Sequence, residues 1–294
     1  FRDWKPGGHG SVNLVKAIKV SCDTYFYQLG LRMGIDEITS MARRFGLGEK
    51  TGIELPGEES GVVPSPESKL QLRLNYLSRE KREKALEVDR KYKELLAKTT
   101  DEDQRRELLK RRSEELRAIE WELDWHDYDT IITSIGQGDN RYTPLELANY
   151  VAAIANGGIR YKPYLVQKVV DPNGNVLKEA IPEELGRAEV SPETLAVIQQ
   201  AMREVTVPPD GTAAGLFKGF PPVAAKTGTA EVQGRDDHAL FVAYAPFDNP
   251  EIAVAVVVEH AGHGGSVAGP VAEDMLAAYF GLPIPGQMTG GISQ

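Results

Sequence analysis

The sequence is poor in cysteine, in basic relative to acidic residues, and in long apolar runs. A single cysteine among 294 residues excludes an internal disulfide. The net charge of -9 and pI near 5.2 argue against a nucleic-acid-binding protein, because no basic face is available to neutralise a phosphate backbone. The longest apolar run, 252–258, is far shorter than the ~18 residues that a membrane-spanning helix needs.

The composition is that of a soluble globular protein, with 41% apolar and 26% charged residues. The first residues, Phe1-Arg2-Asp3-Trp4, contain neither an initiating methionine nor a signal peptide. We therefore expect the chain to be a piece of a longer protein.

Residues 66–129 differ from the rest in being rich in Arg, Lys, Glu and Leu, with leucines three or four residues apart. The pattern breaks at 99–103, where Thr99 and Glu102 match a capping box that would start a second helix. This predicts an antiparallel helical hairpin inserted into the main domain, with its charges solvated or in ion pairs. Whether the hairpin docks a partner or is a solubilising insertion stays open.

The other segments predict an α/β fold of the α+β type, an antiparallel β-sheet sandwiched between helices. Helices are predicted over 15–31, with a break near Ser21, over 34–45, and from Thr143, Ser191 and Ala268 onward; a hairpin is predicted to turn at Asn173-Gly174, and strands at 223–231, 238–245 and 251–259. The expected divisions are 1–65 and 130–284 for the main domain, 66–129 for the hairpin, and 285–294 for a disordered tail.

The stretch Val223–Glu231 combines a buried strand with a polar edge. Apolar residues on both sides suit a sheet interior, whereas Lys226, Thr227 and Thr229 require polar surroundings, and Gly228 allows another backbone to come close. Lys-Thr-Gly is one of the signatures of the active-site serine penicillin-recognising enzymes. The alternative is an ordinary edge strand that carries a lysine.

Further motifs in the same order give a resemblance that covers nearly the whole chain outside the hairpin. The chain resembles the C-terminal part of the transpeptidase domain of class B penicillin-binding proteins of the elongation type, penicillin-binding protein 2. The matching segments are Arg2-Asp3-Trp4 through Gly8-His9-Gly10, Ser21–Gln28, Phe45-Gly46 with Thr51-Gly52-Ile53, Ile135–Gly138 with Thr143-Pro144-Leu145, Ala155–Gly158, and Lys226–Thr229.

The resemblance implies a peptidoglycan D,D-transpeptidase that cross-links stem peptides ending in D-Ala-D-Ala through an acyl-serine intermediate, and that β-lactams inhibit. Ser21 would relay a proton to the leaving amine, with Asp23 and Lys226 as its catalytic partners. Asp23 stands where many relatives have asparagine, so pairing with a lysine becomes natural there. Thr227, Gly228 and Thr229 would bind the substrate, and the Thr229 N–H would stabilise the oxyanion.

The resemblance also implies parts that these residues do not contain. The family's Ser-x-x-Lys nucleophile is expected upstream of Phe1, so this chain alone is expected to be inactive. The match at Ser78-Arg79-Glu80-Lys81 is rejected, because charged helix flanks it on both sides whereas a catalytic serine needs a desolvated lysine. An upstream membrane anchor, the periplasmic face of the inner membrane and a membrane-embedded glycan polymerase as partner are further expectations.

Asp3, His9 and Cys22 supply the three side-chain types that bind zinc. Structural zinc sites need four ligands, and the fourth could come from the upstream part. The alternative is a buried cysteine near a loop histidine. Because relatives that resemble this segment carry a structural zinc, the resemblance implies one structural zinc here, with no cofactor needed for the chemistry.

Two other functions remain open for the same sequence. A D,D-carboxypeptidase or β-lactamase would transfer the acyl group to water instead of to an amine. A non-catalytic penicillin-binding sensor or scaffold would need no nucleophile, but it would have no reason to retain Ser21 and the Lys226-Thr227-Gly228 motif.

Overall fold

The structure is a computed structural model of the protein and describes residues 1–285. The helices are Leu14–Lys19 (α1), Asp23–Met33 (α2), Ile35–Arg44 (α3), Pro66–Leu74 (α4), Arg79–Ala97 (α5), Glu102–Ile119 (α6), Asp127–Thr133 (α7), Pro144–Ala155 (α8), Pro192–Glu204 (α9) and Ala268–Phe280 (α10). The strands are Ile159–Tyr161 (β1), Lys168–Val170 (β2), Val176–Glu179 (β3), Glu184–Arg187 (β4), Ala224–Ala230 (β5), His238–Ala245 (β6) and Ile252–Val258 (β7).

The main sheet is antiparallel in the order β5-β6-β7, so β5 lies at an edge. Because side chains alternate between the faces of a strand, each strand contributes to two cores. One face packs on α10 through small residues such as Ala225, Ala243 and Ala272. The other packs on α8 and α9, with Tyr244 at its centre. The predicted sheet between helices is confirmed.

Local sequence signals account for most of the helix boundaries. Thr143 and Glu146 form the predicted capping box at the start of α8. The buried Glu146 carboxylate also accepts the N–H groups of Gly48 at 2.8 Å and Gly61 at 3.0 Å, which fastens two loops to this helix. The predicted turn at Asn173-Gly174 joins β2 to β3, whereas the pairing of β1 with β4 was not predicted.

The helices α5 and α6 form the expected hairpin, and with α4 they enclose a small apolar core of their own. The predicted capping box at Thr99 and Glu102 is wrong. The residue directly before α6 is Asp101, whose carboxylate accepts the Gln104 N–H at 2.8 Å. Thr99 instead lies two residues after the end of α5, where its hydroxyl donates to the Leu95 carbonyl at 2.8 Å.

Within residues 1–285, no helix has the length and apolarity to cross a bilayer. The disordered tail predicted for 285–294 lies, apart from Pro285, outside the described residues.

Candidate active site

Ser21 lies in the break between α1 and α2 and adopts a positive φ of 54°, which is costly for a residue with a Cβ. The Trp4 indole Nε1 stabilises this break by donating to the Val20 carbonyl at 3.1 Å and the Ser21 carbonyl at 2.8 Å. The Cys22 N–H closes the turn on the Ala17 carbonyl at 2.9 Å. The two indole hydrogen bonds therefore hold the Ser21 backbone in place, and the Ser21 hydroxyl reaches toward β5.

Lys226 of β5 meets Ser21 although the two residues are 205 positions apart. Its Nζ donates to Ser21 Oγ at 2.8 Å and to the Thr227 carbonyl at 2.8 Å. Burial lowers the pKa of Lys226 to about 8, although the charge of Asp23 partly opposes this. In the part of the chain that the structure describes, Lys226 forms no ion pair. A lysine of this kind can exchange a proton with the adjacent hydroxyl near neutral pH.

Asp23 is the first residue of α2 and lies next to this pair. Its Oδ2 accepts the Trp4 N–H at 3.0 Å, and no ion pair to Asp23 occurs among residues 1–285. Burial raises the pKa of Asp23, the Trp4 hydrogen bond opposes that shift, and the nearby Asp3 carboxylate reinforces it. Asp23 thus acts on Lys226 through its field and not through direct contact.

The edge of β5 presents Thr227 and Thr229 on one face and Lys226 on the other. The hydroxyl oxygens of Thr227 and Thr212 are 2.9 Å apart. The Thr229 carbonyl faces outward and accepts a side-chain hydrogen bond there. In an antiparallel strand the N–H and C=O of one residue point to the same side, so the Thr229 N–H also faces the open edge.

Close packing behind this edge explains the glycine requirement. A Cβ on Gly228 would lie 3.2 Å from Leu240 Cβ. A Cβ on Gly264, in the loop after β7, would lie 2.2 Å from the Gly228 carbonyl oxygen. Gly264 therefore lets that loop lie directly against β5 and β6.

Asp3, His9 and Cys22 converge, with their ligand atoms within 4.8 Å of one another. Cys22 Sγ lies 3.2 Å from Asp3 Oδ2, and His9 Nδ1 lies 3.1 Å from Asp3 Oδ1. Burial raises the pKa of Asp3, but hydrogen bonds from the Lys5 N–H and the Cys22 thiol more than offset it, so the pKa is lowered. In the described chain the buried His9 Nδ1 contacts the Asp3 carboxylate without the alignment of a regular hydrogen bond. An imidazole nitrogen, a carboxylate and a thiol that face one another in this way fit a metal ion.

Sequence reasoning did not identify Gln137, which follows α7 and lies in the matching segment Ile135–Gly138. Its Nε2 donates to the Thr229 carbonyl at 3.0 Å, and its Oε1 accepts the Glu231 N–H at 3.1 Å. The available signal was a glutamine between two glycines. Gly136 and Gly138 can form the turn, which leaves the Gln137 side-chain amide free to hydrogen-bond to another element.

The rejected Ser78 match is a helix cap in the structure. Ser78 is exposed, and its hydroxyl accepts the Lys81 N–H at 3.4 Å at the start of α5. The Lys81 ammonium pairs with Glu120 at 2.6 Å instead. This serine has no activated lysine beside it.

The comparisons with known proteins agree with this geometry. Residues 1–277 match the penicillin binding protein transpeptidase domain. The chain is 34% identical over 283 residues to the peptidoglycan D,D-transpeptidase MrdA of Acinetobacter baumannii, covering 91% of this chain and 34% of that protein. It therefore spans about a third of that relative's length.

Solved structures give the same result. A Pseudomonas aeruginosa PBP2 in complex with WCK 5153 matches with a TM-score of 0.69 and 30% identity, over 95% of this chain and 50% of that one. A structure described as coordinating polymerization and crosslinking in a peptidoglycan synthase complex matches with a TM-score of 0.68 and 27% identity, over 96% of this chain and 40% of that one. The chain belongs to the penicillin-binding protein transpeptidase family, and it corresponds to the C-terminal part of the transpeptidase domain of MrdA/PBP2 proteins.

Proposed function

We propose that the protein containing this chain is a peptidoglycan D,D-transpeptidase of cell-wall elongation that works through an acyl-serine intermediate. The observation that carries the proposal is the contact of Lys226 with Ser21 beside the open edge of β5. A lysine with a pKa of about 8 has an appreciable neutral fraction at neutral pH, so it can take part in proton transfer.

The nucleophile in this proposal is a serine of a Ser-x-x-Lys element that precedes Phe1 in the full protein. Its Oγ attacks the carbonyl carbon of the penultimate D-alanine, and the bond to the terminal D-alanine nitrogen breaks. Ser21 passes the serine proton to that leaving nitrogen, with Lys226 as its partner. An amine of a second stem peptide then attacks the ester, which restores the serine hydroxyl.

Substrate binding is assigned to β5. The hydroxyls of Thr227 and Thr229, with the charge of Lys226, would hold the terminal carboxylate of the donor stem peptide. The Thr229 N–H, on the outward edge, would be one of two N–H groups that stabilise the oxyanion. Gly228 would let the donor stem peptide lie flat along the strand. β-Lactams would enter the same position as analogues of D-Ala-D-Ala.

Two expectations about the full protein are part of the proposal. It would be held at the periplasmic face of the inner membrane by a helix upstream of this chain, and it would act beside a membrane-embedded glycan polymerase. The similarity to the peptidoglycan synthase complex supports that partner.

We also propose that Asp3, His9 and Cys22 hold a structural zinc ion, with a fourth ligand from outside these residues. When bound, zinc would cross-link the first loop to the start of α2. The three residues would then stabilise the segment that positions Trp4 and Ser21. The chemistry itself needs no metal in this scheme.

The proposal is tested by incubating the full-length protein with a fluorescent penicillin and reading a covalent band. We expect labelling that competes with unlabelled penicillin, and the labelled peptide should carry an upstream serine. A stem pentapeptide supplied with an acceptor amine should then yield a cross-linked dimer. A tetrapeptide alone would favour the hydrolase, and failure of any label to form would favour the scaffold.

A further inference from the structure

Gln137 takes the place of a neighbouring strand at the open edge of β5. Its amide donates to the Thr229 carbonyl at 3.0 Å and accepts the Glu231 N–H at 3.1 Å. These are the two kinds of bond that a paired strand would make to two successive outward-facing residues. One side chain thus ends the open edge immediately beyond Thr229.

The loop that carries Gln137 is itself fixed. The Gln137 N–H donates to the Ile132 carbonyl at 3.0 Å, and its carbonyl accepts the Asn140 Nδ2 amide at 2.8 Å. Asn140 in turn accepts the Tyr142 hydroxyl at 2.8 Å. Because both main-chain groups of Gln137 are bonded, its side chain is presented to β5 from a rigid turn.

This turn continues the helical wall of the site, which helices α2 and α7 form. Helix α7 packs tightly on α2, and a Cβ on Gly30 of α2 would lie 2.5 Å from Ser134 Cβ. Helix α2 begins two residues after Ser21. Ser21 and Gln137 therefore belong to one packed unit, and both reach across to β5, Ser21 at Lys226 and Gln137 at Thr229 and Glu231.

We propose that Gln137 is a positioning residue with two effects. It fixes the distance between the helical wall and β5, and it sets the point along β5 at which the bound donor stem peptide stops pairing with the strand. The inference rests on the proposed function. An extended donor peptide adds to an edge strand by hydrogen-bonding to the outward-facing N–H and C=O groups of that strand. The Thr227 carbonyl is bonded to Lys226 and the Glu231 N–H to Gln137, and the Thr229 N–H lies between them. The donor is thereby held in register with that N–H.

The test replaces Gln137 in the full-length protein and measures the second-order rate constant of acylation by a fluorescent penicillin from about pH 4 to about pH 8, so that the range includes the ordinary glutamate pKa. In Gln137→Glu, the ionised carboxylate can still accept the Glu231 N–H but faces the Thr229 carbonyl without a proton. We expect the rate to fall about tenfold or more relative to wild type at pH 7.5, because a hydrogen bond is replaced by repulsion.

The signature is the ratio of variant to wild-type rates at each pH. A protonated glutamic acid has one O–H donor and a carbonyl acceptor, which restores both bonds, and an ordinary glutamate has a pKa of about 4.3. The ratio for Gln137→Glu should therefore rise toward one as the pH falls. The Gln137→Met ratio should stay low at every pH, because methionine has the length but not the bonds. A loss caused by general misfolding would not recover on acidification.

The matched control is Gln104→Glu, on an exposed face of α6, for which the ratio should stay near one throughout. Equal rates for wild type and both Gln137 variants would overturn the inference and leave the proposed function standing. Faster acylation of Gln137→Met would also overturn it, since Gln137 would then be a competitor for the Thr229 carbonyl. Absence of label on wild type would overturn the proposed function and, with it, this inference.

Discussion

Two lysines, Lys226 half-buried at the edge of β5 and Lys69 fully buried in the insertion, show how surroundings separate chemistry from structure. The Lys69 side chain is 6% exposed, and its Nζ donates to Asp129 at 2.7 Å and to the Asp124 carbonyl at 2.7 Å. Lys226 contacts a hydroxyl and a carbonyl but no carboxylate of the described chain. The Asp129 carboxylate compensates the charge of Lys69, whereas Lys226 has no such partner and desolvation lowers its pKa to about 8.

The insertion repeats this rule with its other charges. The buried Asp89 carboxylate binds Arg112 at 2.8 Å and Lys93 at 2.8 Å. Burial raises the pKa of Asp89, but the two cations more than offset this, so its pKa is lowered. Charges that compensate one another in this way stabilise the hairpin and leave no group ready to transfer a proton.

The largest expected contrast comes from removing each lysine in the full-length protein. Lys226→Met should lower the rate of acylation by a fluorescent penicillin about 10²- to 10⁴-fold with little change in unfolding temperature, because a proton-transfer partner is lost. Lys69→Met should leave the rate per folded molecule unchanged. It should, however, lower the free energy of unfolding by about 3–5 kcal/mol, because Asp129 loses its buried partner.

The measurements are stopped-flow labelling and thermal unfolding followed by circular dichroism. If Lys69→Met abolished labelling at a temperature where the variant is folded, the distinction between the two lysines would be wrong.

The next contrast is between two serines. Ser21 contacts Lys226 in the folded structure, whereas Ser78 only precedes Lys81 in the sequence. Ser21→Ala removes the hydroxyl that Lys226 contacts, and we expect acylation to slow about 10²-fold. Ser78→Ala removes only a helix cap, so we expect unchanged labelling and about 1 kcal/mol less stability. Mass spectrometry of the penicillin adduct provides the measurement, and an adduct on Ser78 in wild type would refute the assignment.

Much of this arrangement was predictable because short motifs encode local geometry. The Lys226–Thr229 signature and the alternation along β5 to β7 predicted the strand and its polar edge. The spacing of Asp3, His9 and Cys22 was less specific than that signature. The three residues converge because of the turn at Ser21, which secondary-structure propensities do not predict. That turn is set by the indole of Trp4, a contact made across the loop.

The remaining features depend on tertiary contacts that a linear pattern does not contain. Gln137 contacts a strand 92 residues away, so its glycine neighbours could indicate a free amide but not the strand that this amide contacts. Similarly, Thr99 and Asp101 both suit an N-cap, and the choice between them depends on where α5 ends. The short strands β1 and β4 pair over few residues and carry no distinct alternation.

A third contrast is between a region stabilised by ion pairs, the hairpin, and a region for which we propose stabilisation by a metal ion, the first loop with the start of α2. If Asp3, His9 and Cys22 hold zinc, Cys22→Ser in the full-length protein should contain much less zinc by plasma mass spectrometry. A chelator should lower the unfolding temperature of wild type and have little effect on that of the variant, because metal binding contributes to folding. The control is His263→Ala, an exposed histidine outside the cluster, which should retain its zinc. Equal zinc contents in wild type and Cys22→Ser would refute the site.

The smallest expected effect tests how Asp23 acts on Lys226. The charge of Asp23 raises the pKa of Lys226 against the larger effect of burial, so Asp23→Asn should lower that pKa below about 8. Because the neutral amine accepts the proton, the acylation rate should rise with pH through the pKa, and the midpoint of the pH–rate profile should shift to lower pH in the variant. Asp89→Asn in the hairpin should destabilise the protein without moving the midpoint. A shift to higher pH in Asp23→Asn would mean that Asp23 influences the site through its hydrogen bond to Trp4 and not through its charge.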